Sequence, residues 1–417
     1  MISCENLFQI FKNNDLTFFT GVPDSTFKDW MKFLNDEHGN KLTNIIATNE
    51  CESAAISVGY YLATGKIGVV YMQNSGLGKT VNPTTSLLSK EVYSIPAFYM
   101  IGWRGEPDKK DEPQHKMMGR VMLPLLDCLE IPYKILPDNV KEAETIIREV
   151  KQLAEQNSSP AALIIKEKTL EEYTARKSVK TNYEMSREDA IKTIVNNLRG
   201  DEVIVSTTGK TSRELFEYRE ALKQNHDKDF LTVGSMGCSS AIGFGIASQS
   251  NKSVIIFDGD GAVLMQMGTL ATIGNYAPKN FYHIVFDNSS YDSTGGQPTI
   301  SPSVDFAKIA LACGYKKAEY IETKQSLKEV IKGLKTSEGP KIVIIKVNKG
   351  ARKNLGRPTT TTLENKKSFM EFLNIKNPKI FVVSESQNSE NFDDSQSSKT
   401  LKLKNSDNYQ KHKVSEA

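Results

Sequence analysis

Short apolar runs, separated by amphipathic stretches of helical length, recur along the first 170 residues. Five of these runs have the length and the β-branched or aromatic content of buried strands: Thr17–Thr20, Ile45–Ile46, Ile67–Tyr71, Ala97–Ile101 and Ala161–Ile165. Strands that alternate with helices are typical of parallel sheets, because each crossover helix covers a face of the sheet. The pattern predicts an α/β domain over residues 1–170.

The same alternation returns after a charged linker that runs from Lys166 to about Met185. The second domain is predicted to begin at Ser186-Arg-Glu-Asp, a pattern typical of a helix cap. Its predicted strands are Ser253–Phe257, Phe281–Phe286 and Lys341–Val347. Residues 262–276 read as one helix with an apolar face of Val263, Met267, Leu270 and Ile273, and another helix is predicted near Lys366–Leu373. We therefore expect a second α/β domain over residues 186–375.

The two predicted domains share a weak internal repeat. Cys51-Glu-Ser-Ala-Ala, followed by the run from Lys66, parallels Cys238-Ser-Ser-Ala-Ile, followed by the run from Lys252, so that Cys51 and Cys238 are 187 positions apart. Beyond about residue 385 the chain is rich in Ser, Asn, Asp, Gln and Lys. That composition buries too little apolar surface to offset the entropy of ordering, so residues 385–417 are predicted to be a disordered polar tail.

Composition narrows the range of functions. The net charge of the 417-residue chain is only +3, and basic residues do not cluster with aromatic ones, so nucleic-acid binding is not indicated. Five cysteines without a Cys-x-x-Cys spacing favour a reducing, cytoplasmic setting. Neither a signal peptide nor a membrane span is visible in the pattern.

The sharpest chemical signal is Gly259-Asp260-Gly261, followed by Asp287-Asn288 at the end of the next predicted strand. Parallel strands joined by a helix end at the same edge of a sheet, so Asp260 and Asn288 should meet there. A carboxylate and an amide oxygen suit Mg²⁺, which completes its octahedron with water and phosphate oxygens. The alternative is an ordinary glycine-rich turn that happens to carry an acid. We interpret the pattern as a diphosphate site.

This motif resembles the signature of the thiamine-diphosphate enzymes. The resemblance implies that Asp260, Asn288 and the main-chain carbonyl of Ser290 bind Mg²⁺, and that Gly259, Gly261 and Ala262 lie against the cofactor diphosphate. The family usually has Asn where this chain has Asp287, but that position is not a ligand. The resemblance also places Gly234, Ser235 and Met236 in a cofactor loop with Met236 as an apolar wedge, and the Thr207–Ser212 turn beside it. No central third domain, which larger family members carry, fits in this chain.

A glutamate is the second part of the resemblance. Glu50 precedes small residues and Gly59-Tyr60, as does the family's glutamate that hydrogen-bonds the aminopyrimidine ring and activates the cofactor. Such a role needs a carboxyl group whose pKa is raised by desolvation. Glu52 fits the alternative, an acid at a helix N-terminus, equally well; the spacing to Gly59 favours Glu50.

Four further segments resemble the phosphonopyruvate decarboxylases within that family: Gly21–Ser25, Tyr71–Gly78, Ile101–His115 and Gly350–Thr360. The implied reaction is decarboxylation of 3-phosphonopyruvate to phosphonoacetaldehyde in the biosynthesis of 2-aminoethylphosphonate. Asp24, Arg104 and His115 are the candidate substrate residues, and Lys110, Arg352 and Arg357 are further candidate cations. The alternative for each is a solvated loop charge.

One departure from related decarboxylases concerns the proton donor. Pyruvate decarboxylases have a glutamate six residues after the metal-binding Asn, where this chain has Thr294. This argues against pyruvate as the substrate and makes His115 the first candidate for a proton donor.

Other functions stay open at this point. A sulfopyruvate decarboxylase and a non-catalytic partner subunit of the same fold are the alternatives to the implied activity. The resemblance also implies a homo-oligomer with active sites between subunits. Gly78-Lys79-Thr80 lacks the earlier glycine of a phosphate-binding loop, and Gly243–Ser248 lies in a predicted helix rather than after a strand, so nucleotide motifs are not supported.

Overall fold

Two parallel six-stranded sheets with helices on both faces make up the computed structural model, which describes residues 1–336 and 338–374. The first sheet has the order β2-β1-β3-β4-β6-β5. Its elements are α1 Cys4–Asn13, β1 Phe18–Gly21, α2 Lys28–Glu37, β2 Thr43–Ile46, α3 Glu50–Thr64, β3 Val69–Gln73, α4 Leu77–Thr85, β4 Ala97–Gly102, α5 Pro113–Cys128, β5 Tyr133–Ile135, α6 Val140–Asn157 and β6 Pro160–Ile165. A 3₁₀ turn, Asn74–Gly76, joins β3 to α4.

The second sheet has the order β13-β14-β10-β9-β7-β8. Its elements are α7 Arg187–Val195, β7 Val203–Ser206, α8 Lys210–Ala221, β8 Asp229–Leu231, α9 Ser239–Ala247, β9 Val254–Gly259, α10 Asp260–Met265, α11 Gly268–Tyr276, β10 Phe281–Asp287, β11 Ser290–Tyr291, β12 Gln297–Pro298, α12 Phe306–Ala312, β13 Lys317–Ile321, α13 Lys324–Gly333, β14 Lys341–Lys346 and α14 Thr362–Phe372. Strands β11 and β12 form a small antiparallel hairpin apart from the main sheet.

The two sheets have the same topology. If the strands of each are renumbered from its first strand, both read 2-1-3-4-6-5. This confirms the fold predicted from the sequence, two similar doubly wound parallel sheets, and the described residues form no third domain. In such sheets ligands bind at the carboxyl ends of the strands, where the chain reverses direction between the first and third strands.

Burial explains why the strands were visible as continuous apolar runs. In β4 all six residues are buried, with Phe98 and Met100 in the core on one face and Tyr99 and Ile101 in the core on the other. Strands covered on both faces lack the polar alternation of half-exposed ones. Both sheets lie within one compact unit of the chain.

Two details of the predicted elements were wrong. The single helix predicted over residues 262–276 is two helices, α10 and α11, interrupted at Gln266, although Val263, Leu270 and Ile273 do share one core with Met267 packed against it. Helix α14 begins at Thr362 rather than near Lys366, because Thr361 and Glu364 form a capping box. The helix cap predicted at Ser186 is confirmed, with Asp189 completing the box.

The remaining predictions concern the tail, membrane-spanning helices, the cysteines and the domain limits. The predicted tail, residues 385–417, lies outside the described residues. Over residues 1–336 and 338–374, every helix falls short of the length and apolarity needed to cross a bilayer. All five cysteines are free. The domain limits near residues 170 and 186 remain predictions, and the linker between them is fastened to α2, where Asp36 accepts hydrogen bonds from the main-chain amides of Arg176 and Lys177 at 2.6 and 2.7 Å.

Candidate active site

Asp260 is the first residue of α10 and follows β9 directly. Its side chain is only 3% exposed, and Thr299 Oγ1 donates a hydrogen bond to Asp260 Oδ2 at 2.5 Å. Burial, together with the nearby charge of Asp287, raises the pKa of Asp260 to about 7. A carboxyl group kept in these surroundings is poised to gain a cation, because a cation would offset the cost of ionising it.

Asn288 lies at the same sheet edge, as the crossover rule predicted. Strands β9 and β10 are neighbours, with Gly259 beside Phe286. Asn288 Nδ2 donates to Asp292 Oδ2 at 2.9 Å, and the main-chain amide of Ser290 donates to Asn288 Oδ1 at 3.0 Å. The Ser290 hydroxyl is buried without a hydrogen-bond partner. Asp260, Asn288 and Ser290 therefore offer a compact set of oxygen donors.

Asp287, the departure from the family pattern, has its own ion pair and hydrogen bonds, and Ser301 and Thr299 link it to Asp260. Lys346 Nζ donates to Asp287 Oδ2 at 2.5 Å, and Ser301 Oγ donates to Asp287 Oδ1 at 2.7 Å. The adjacent Asp292 also has a supporting position, since it accepts from Asn288, from the main-chain amide of Gly350 at 3.1 Å and from Arg187 at 3.5 Å. These contacts orient the Asn288 amide.

The predicted cofactor loop packs against the N-terminus of α10. Gly234, Ser235 and Gly237 all have positive φ angles, of 73°, 45° and 88°, which make a tight turn. A Cβ atom placed on Gly261 would lie 3.4 Å from Met236 Cε. One placed on Gly237 would lie 3.0 Å from the main-chain oxygen of Ala262. Met236 thus lies against the start of α10, next to Gly261.

Glu50 begins α3 at the carboxyl edge of the first sheet, and its side chain is buried. Its Oε2 atom has no hydrogen-bond partner, and Lys79 Nζ lies 3.5 Å away. A Cβ atom on Gly76 would come within 2.3 Å of Glu50 Oε1, so the glycine leaves room for this carboxyl group. Glu52, by contrast, accepts hydrogen bonds from the main-chain amide (2.8 Å) and the hydroxyl of Thr48. Glu50 is the carboxyl group that remains available.

The buried Tyr291 side chain lies near residues of both predicted domains. Burial, followed by the negative charges of Asp260, Glu52 and Glu50, raises the pKa of the Tyr291 hydroxyl. A Cβ atom on Gly261 would lie 2.6 Å from Tyr291 Cε1. Within one chain, acids from both sheet edges therefore lie near enough to Tyr291 to affect the pKa of its hydroxyl group.

The substrate candidates of the first half also come together. Asp24 is fully buried, accepts from Gln73 Nε2 at 2.8 Å, and leaves Oδ2 without a partner; burial raises its pKa. Arg104 donates to Asp111 at 2.9 and 2.5 Å and to Ser25 at 2.7 Å. The planar fork of Arg104, expected to face a substrate anion, is thus occupied by Asp111.

His115 lies in the first turn of α5, and its Nδ1 atom is buried without a partner. Burial, and the positive charge of Arg104, lower the pKa of His115. The preceding residue, Gln114, touches the cofactor loop, since a Cβ atom on Gly234 would lie 3.2 Å from Gln114 Cβ. The structure therefore brings His115 to the junction between the two halves.

The remaining candidate cations are less available. Lys110 is exposed. Arg352 pairs with Glu188 at 3.2 Å and with Glu217, and Arg357 pairs with Glu112. Thr294, where a glutamate stands in pyruvate decarboxylases, donates to the Tyr291 carbonyl oxygen at 3.2 Å.

Comparison with known proteins agrees with this geometry. Residues 4–123 match the model of the thiamine pyrophosphate enzyme N-terminal TPP binding domain, and residues 207–345 match that of the C-terminal TPP binding domain. The phosphonopyruvate decarboxylase of Streptomyces viridochromogenes is 34% identical over 374 residues, which cover 86% of this chain and 91% of the relative. That of Streptomyces hygroscopicus is 32% identical, covering 89% of this chain and 94% of the relative. The chain belongs to the phosphonopyruvate decarboxylase family of thiamine pyrophosphate enzymes.

A sulfopyruvate decarboxylase is also similar. The protein of Methanosarcina acetivorans is 28% identical, covering 89% of this chain and 98% of the relative. The chain thus matches nearly the full length of relatives from both groups.

The residues present fit the cofactor of this family, thiamine diphosphate. Glu50 Oε2, Ser290 Oγ and Thr207 Oγ1 are buried polar atoms without partners, which native proteins rarely leave unsatisfied. A Cβ atom on Gly259 would meet nothing within 4 Å, so the start of α10 is open. Glu50 could hold the ring, and the loop from Gly234 together with the start of α10 could hold the diphosphate.

Three residues of the site were not predicted in these roles. Tyr291 and Asp292 follow Asn288 by three and four positions, and Lys79 was considered only as part of a rejected nucleotide motif. For Tyr291, the available signal was an aromatic residue directly after a predicted metal ligand. Its contact with the other half depends on the tertiary structure, which no local pattern reports.

We predict that His115 makes the stability of the protein sensitive to acid. The pKa of His115 is lower in the folded than in the unfolded state. The contribution of neutral His115 to the free energy of unfolding is therefore fully present above the unfolded pKa near 6.5 and is lost as the pH falls below it. Between pH 8 and pH 5, the wild type should lose more free energy of unfolding than His115→Gln. Urea denaturation at several pH values measures both, and effects common to the two proteins cancel in the difference. Parallel curves would contradict the prediction.

Proposed function

We propose that this protein decarboxylates 3-phosphonopyruvate to phosphonoacetaldehyde and carbon dioxide, with thiamine diphosphate and Mg²⁺, in the cytoplasmic biosynthesis of phosphonates such as 2-aminoethylphosphonate. The observation that carries the proposal is the buried carboxyl group of Glu50, whose Oε2 atom has no hydrogen-bond partner, in a chain that matches two phosphonopyruvate decarboxylases over most of its length.

Mg²⁺ would be held by Asp260 Oδ, Asn288 Oδ1 and the main-chain carbonyl of Ser290. Within residues 1–336 and 338–374, no group of three or more His, Cys, Asp or Glu side chains forms a metal site. The ion would therefore rely on diphosphate oxygens for part of its octahedron, as Mg²⁺ commonly does. Its charge would let Asp260 ionise despite burial.

Each of the candidate site residues has a definable task in the proposed reaction. Thiamine diphosphate, when bound, supplies the electron sink for loss of the carboxylate. The Glu50 carboxyl group would share a proton with the bound ring, Met236 would pack against the cofactor, and the buried Tyr291 side chain beside Gly261 would help to exclude water from the start of α10. A dry site strengthens these electrostatic contacts.

His115 is our candidate for delivering the proton to the product. Its lowered pKa keeps the ring neutral near pH 7, and a neutral imidazole can take up a proton at one nitrogen while it releases one from the other. Thr294 offers no carboxyl group for this task. Asp24 and Arg104 would position the carboxylate of the substrate beside His115, with Arg104 exchanging part of its contact with Asp111 for the substrate.

Sulfopyruvate is the second candidate substrate, because the relative from Methanosarcina acetivorans carries that name. A non-catalytic partner subunit is disfavoured, since Glu50, Asp260 and Asn288 are all present in one chain. Phosphonate and sulfonate differ in charge, so the two substrates can be separated by measurement.

We predict that the wild-type protein, supplied with thiamine diphosphate and Mg²⁺, releases carbon dioxide from phosphonopyruvate with a higher kcat/KM than from sulfopyruvate or pyruvate. Glu50→Gln should lower kcat by about 10²-fold or more, because an amide cannot share the proton. Carbon dioxide release from each keto acid is the measurement. Faster turnover of sulfopyruvate or pyruvate would overturn the proposed substrate.

Glu52→Gln is the matched control for Glu50→Gln. It makes the same chemical change two residues away, in a side chain that is bonded to Thr48 rather than free. Glu52→Gln should stay within a few-fold of the wild type. Equal losses in both variants would show that the effect comes from damage to α3 and not from the chemistry of Glu50.

We also propose a homo-oligomer with active sites between subunits. The outer face of α3 supports it: Cys51, Ala55, Gly59 and Leu62 are exposed at helical spacing, and Leu62 is 72% exposed. An exposed apolar face on the helix that carries Glu50 is suited to association. Glu50 and Asp260 belong to different sheets of the chain, so a direct test can decide whether one site takes both acids from one subunit or from two.

Mixing two inactive variants, Glu50→Gln and Asp260→Asn, provides that test. If sites form between subunits, hybrid dimers contain one intact site, and roughly a quarter of the wild-type activity should return. Each variant alone should remain inactive, and sedimentation should show an oligomer. If the mixture stays inactive after subunit exchange, or if a monomer is fully active, the site lies within one chain and the proposal of shared sites is wrong.

A further inference from the structure

Lys79 is a cation beside Glu50 that the proposed chemistry has not used. It lies in the first turn of α4, and its Nζ atom is 3.5 Å from Glu50 Oε2. Among the described residues this is its only ion pair, and its ammonium group makes no hydrogen bond. One-third of the side chain is exposed, so the side chain lies between the Glu50 carboxyl group and solvent.

Lys79 does not belong to a nucleotide-binding loop. The neighbouring Thr80 is buried within the helix and donates its hydroxyl to the Leu77 carbonyl oxygen at 2.8 Å. A phosphate-binding loop needs that hydroxyl free for a metal ion. The charge of Lys79 must therefore serve something else.

The other candidate cations are engaged or lie outside the cleft. Arg104 is held by Asp111 and Ser25, Arg352 by Glu188 and Glu217, and Arg357 by Glu112. Lys110 is exposed in the turn before α5. Lys79 is the cation of this group that borders Glu50 and has unused hydrogen-bond donors.

The charge of the site makes such a cation necessary. Glu50, Asp260 and Asp24 are buried carboxyl groups, and Mg²⁺ would compensate only the diphosphate end. Phosphonopyruvate brings a carboxylate and a phosphonate, so it would enter a region that is already acidic. A compact ammonium group with three donors suits the tetrahedral oxygens of a phosphonate, and its four-carbon stem allows it to move.

We propose that Lys79 binds the phosphonate group of the substrate and so determines the preference for phosphonopyruvate. The inference rests on the proposed function. In the free protein, Lys79 compensates the charge of Glu50. Once Glu50 is engaged with the cofactor ring, the ammonium group is free to turn from Glu50 Oε2 to the phosphonate oxygens of the entering substrate.

The test compares Lys79→Met with the wild type on two substrates and one ligand. The variant should lower kcat/KM for phosphonopyruvate about tenfold or more, mainly through KM, because one charge-assisted contact is lost. It should leave kcat/KM for pyruvate, which lacks the phosphonate, nearly unchanged. Calorimetry with 3-phosphonopropionate, a dianion without a keto group, should show a similarly weakened Kd. Lys79→Arg, which keeps the charge, should recover part of the affinity.

Two controls make the outcome decisive. Lys66→Met makes the same change at an exposed lysine and should behave as the wild type. Lys110→Met tests the rival cation and should leave the preference for phosphonopyruvate intact. Equal losses on both substrates in Lys79→Met would place Lys79 in support of Glu50 alone, and a selective loss in Lys110→Met instead would assign the phosphonate to Lys110; either result overturns the inference.

The inference and the proposed function can fail separately. If the wild type releases no carbon dioxide from phosphonopyruvate, the proposed function is wrong, while the binding of 3-phosphonopropionate still reports on Lys79. If the wild type does turn over phosphonopyruvate but Lys79→Met binds and turns it over unchanged, only the inference about Lys79 is wrong.

Discussion

The rest of this structure depends on buried carboxyl groups whose charge and hydrogen-bonding capacity are only partly satisfied by neighbouring residues. Glu50 Oε2 and Asp24 Oδ2 have no hydrogen-bond partner, and the pKa of Asp260 is raised to about 7. Such groups cost free energy, which the well-packed cores on both faces of each sheet must offset. Unpartnered buried groups of this kind are typical of a site where a bound ligand completes the contacts.

The scaffold forms the site from two sheets that have the same topology. Both sheets have the same strand order, and each presents the carboxyl ends of its strands to the site. The first sheet contributes an acid at the start of a helix, Glu50, and the second contributes Asp260 in the same kind of position. Tyr291 lies on the short hairpin after β10. Burial, followed by the negative charges that include both acids, raises the pKa of its hydroxyl group. Lys346 pairs with Asp287, whose negative charge adds to the effect of burial on the pKa of Asp260.

Much of this fold was predictable because its strands are buried on both faces. Continuous apolar runs marked β3, β4, β9 and β10, and the crossover rule then placed Asp260 and Asn288 together without any knowledge of the tertiary structure. The break at Gln266 and the early start of α14 were missed, because both depend on local capping and packing that apolar spacing does not encode.

The site was only partly predictable for a related reason. The type of a residue indicates which contacts its side chain can make, but not which other residue of the protein already makes them. Arg104 was expected to face a substrate anion, yet Asp111, seven positions later, fills its fork. Lys79 belonged to a motif that was rightly rejected, and its contact with Glu50 spans 29 positions of sequence. Contacts of this kind arise when helices from different crossovers pack together.

The most direct measurement is a crystal structure of the protein grown with thiamine diphosphate and Mg²⁺. The account predicts the aminopyrimidine ring within hydrogen-bond distance of Glu50, and the diphosphate on the metal ion between Asp260, Asn288 and the carbonyl oxygen of Ser290, with Met236 against the bend of the cofactor. Density that shows the cofactor elsewhere, or shows Asp260 and Asn288 bound to nothing while the cofactor is present, would contradict it.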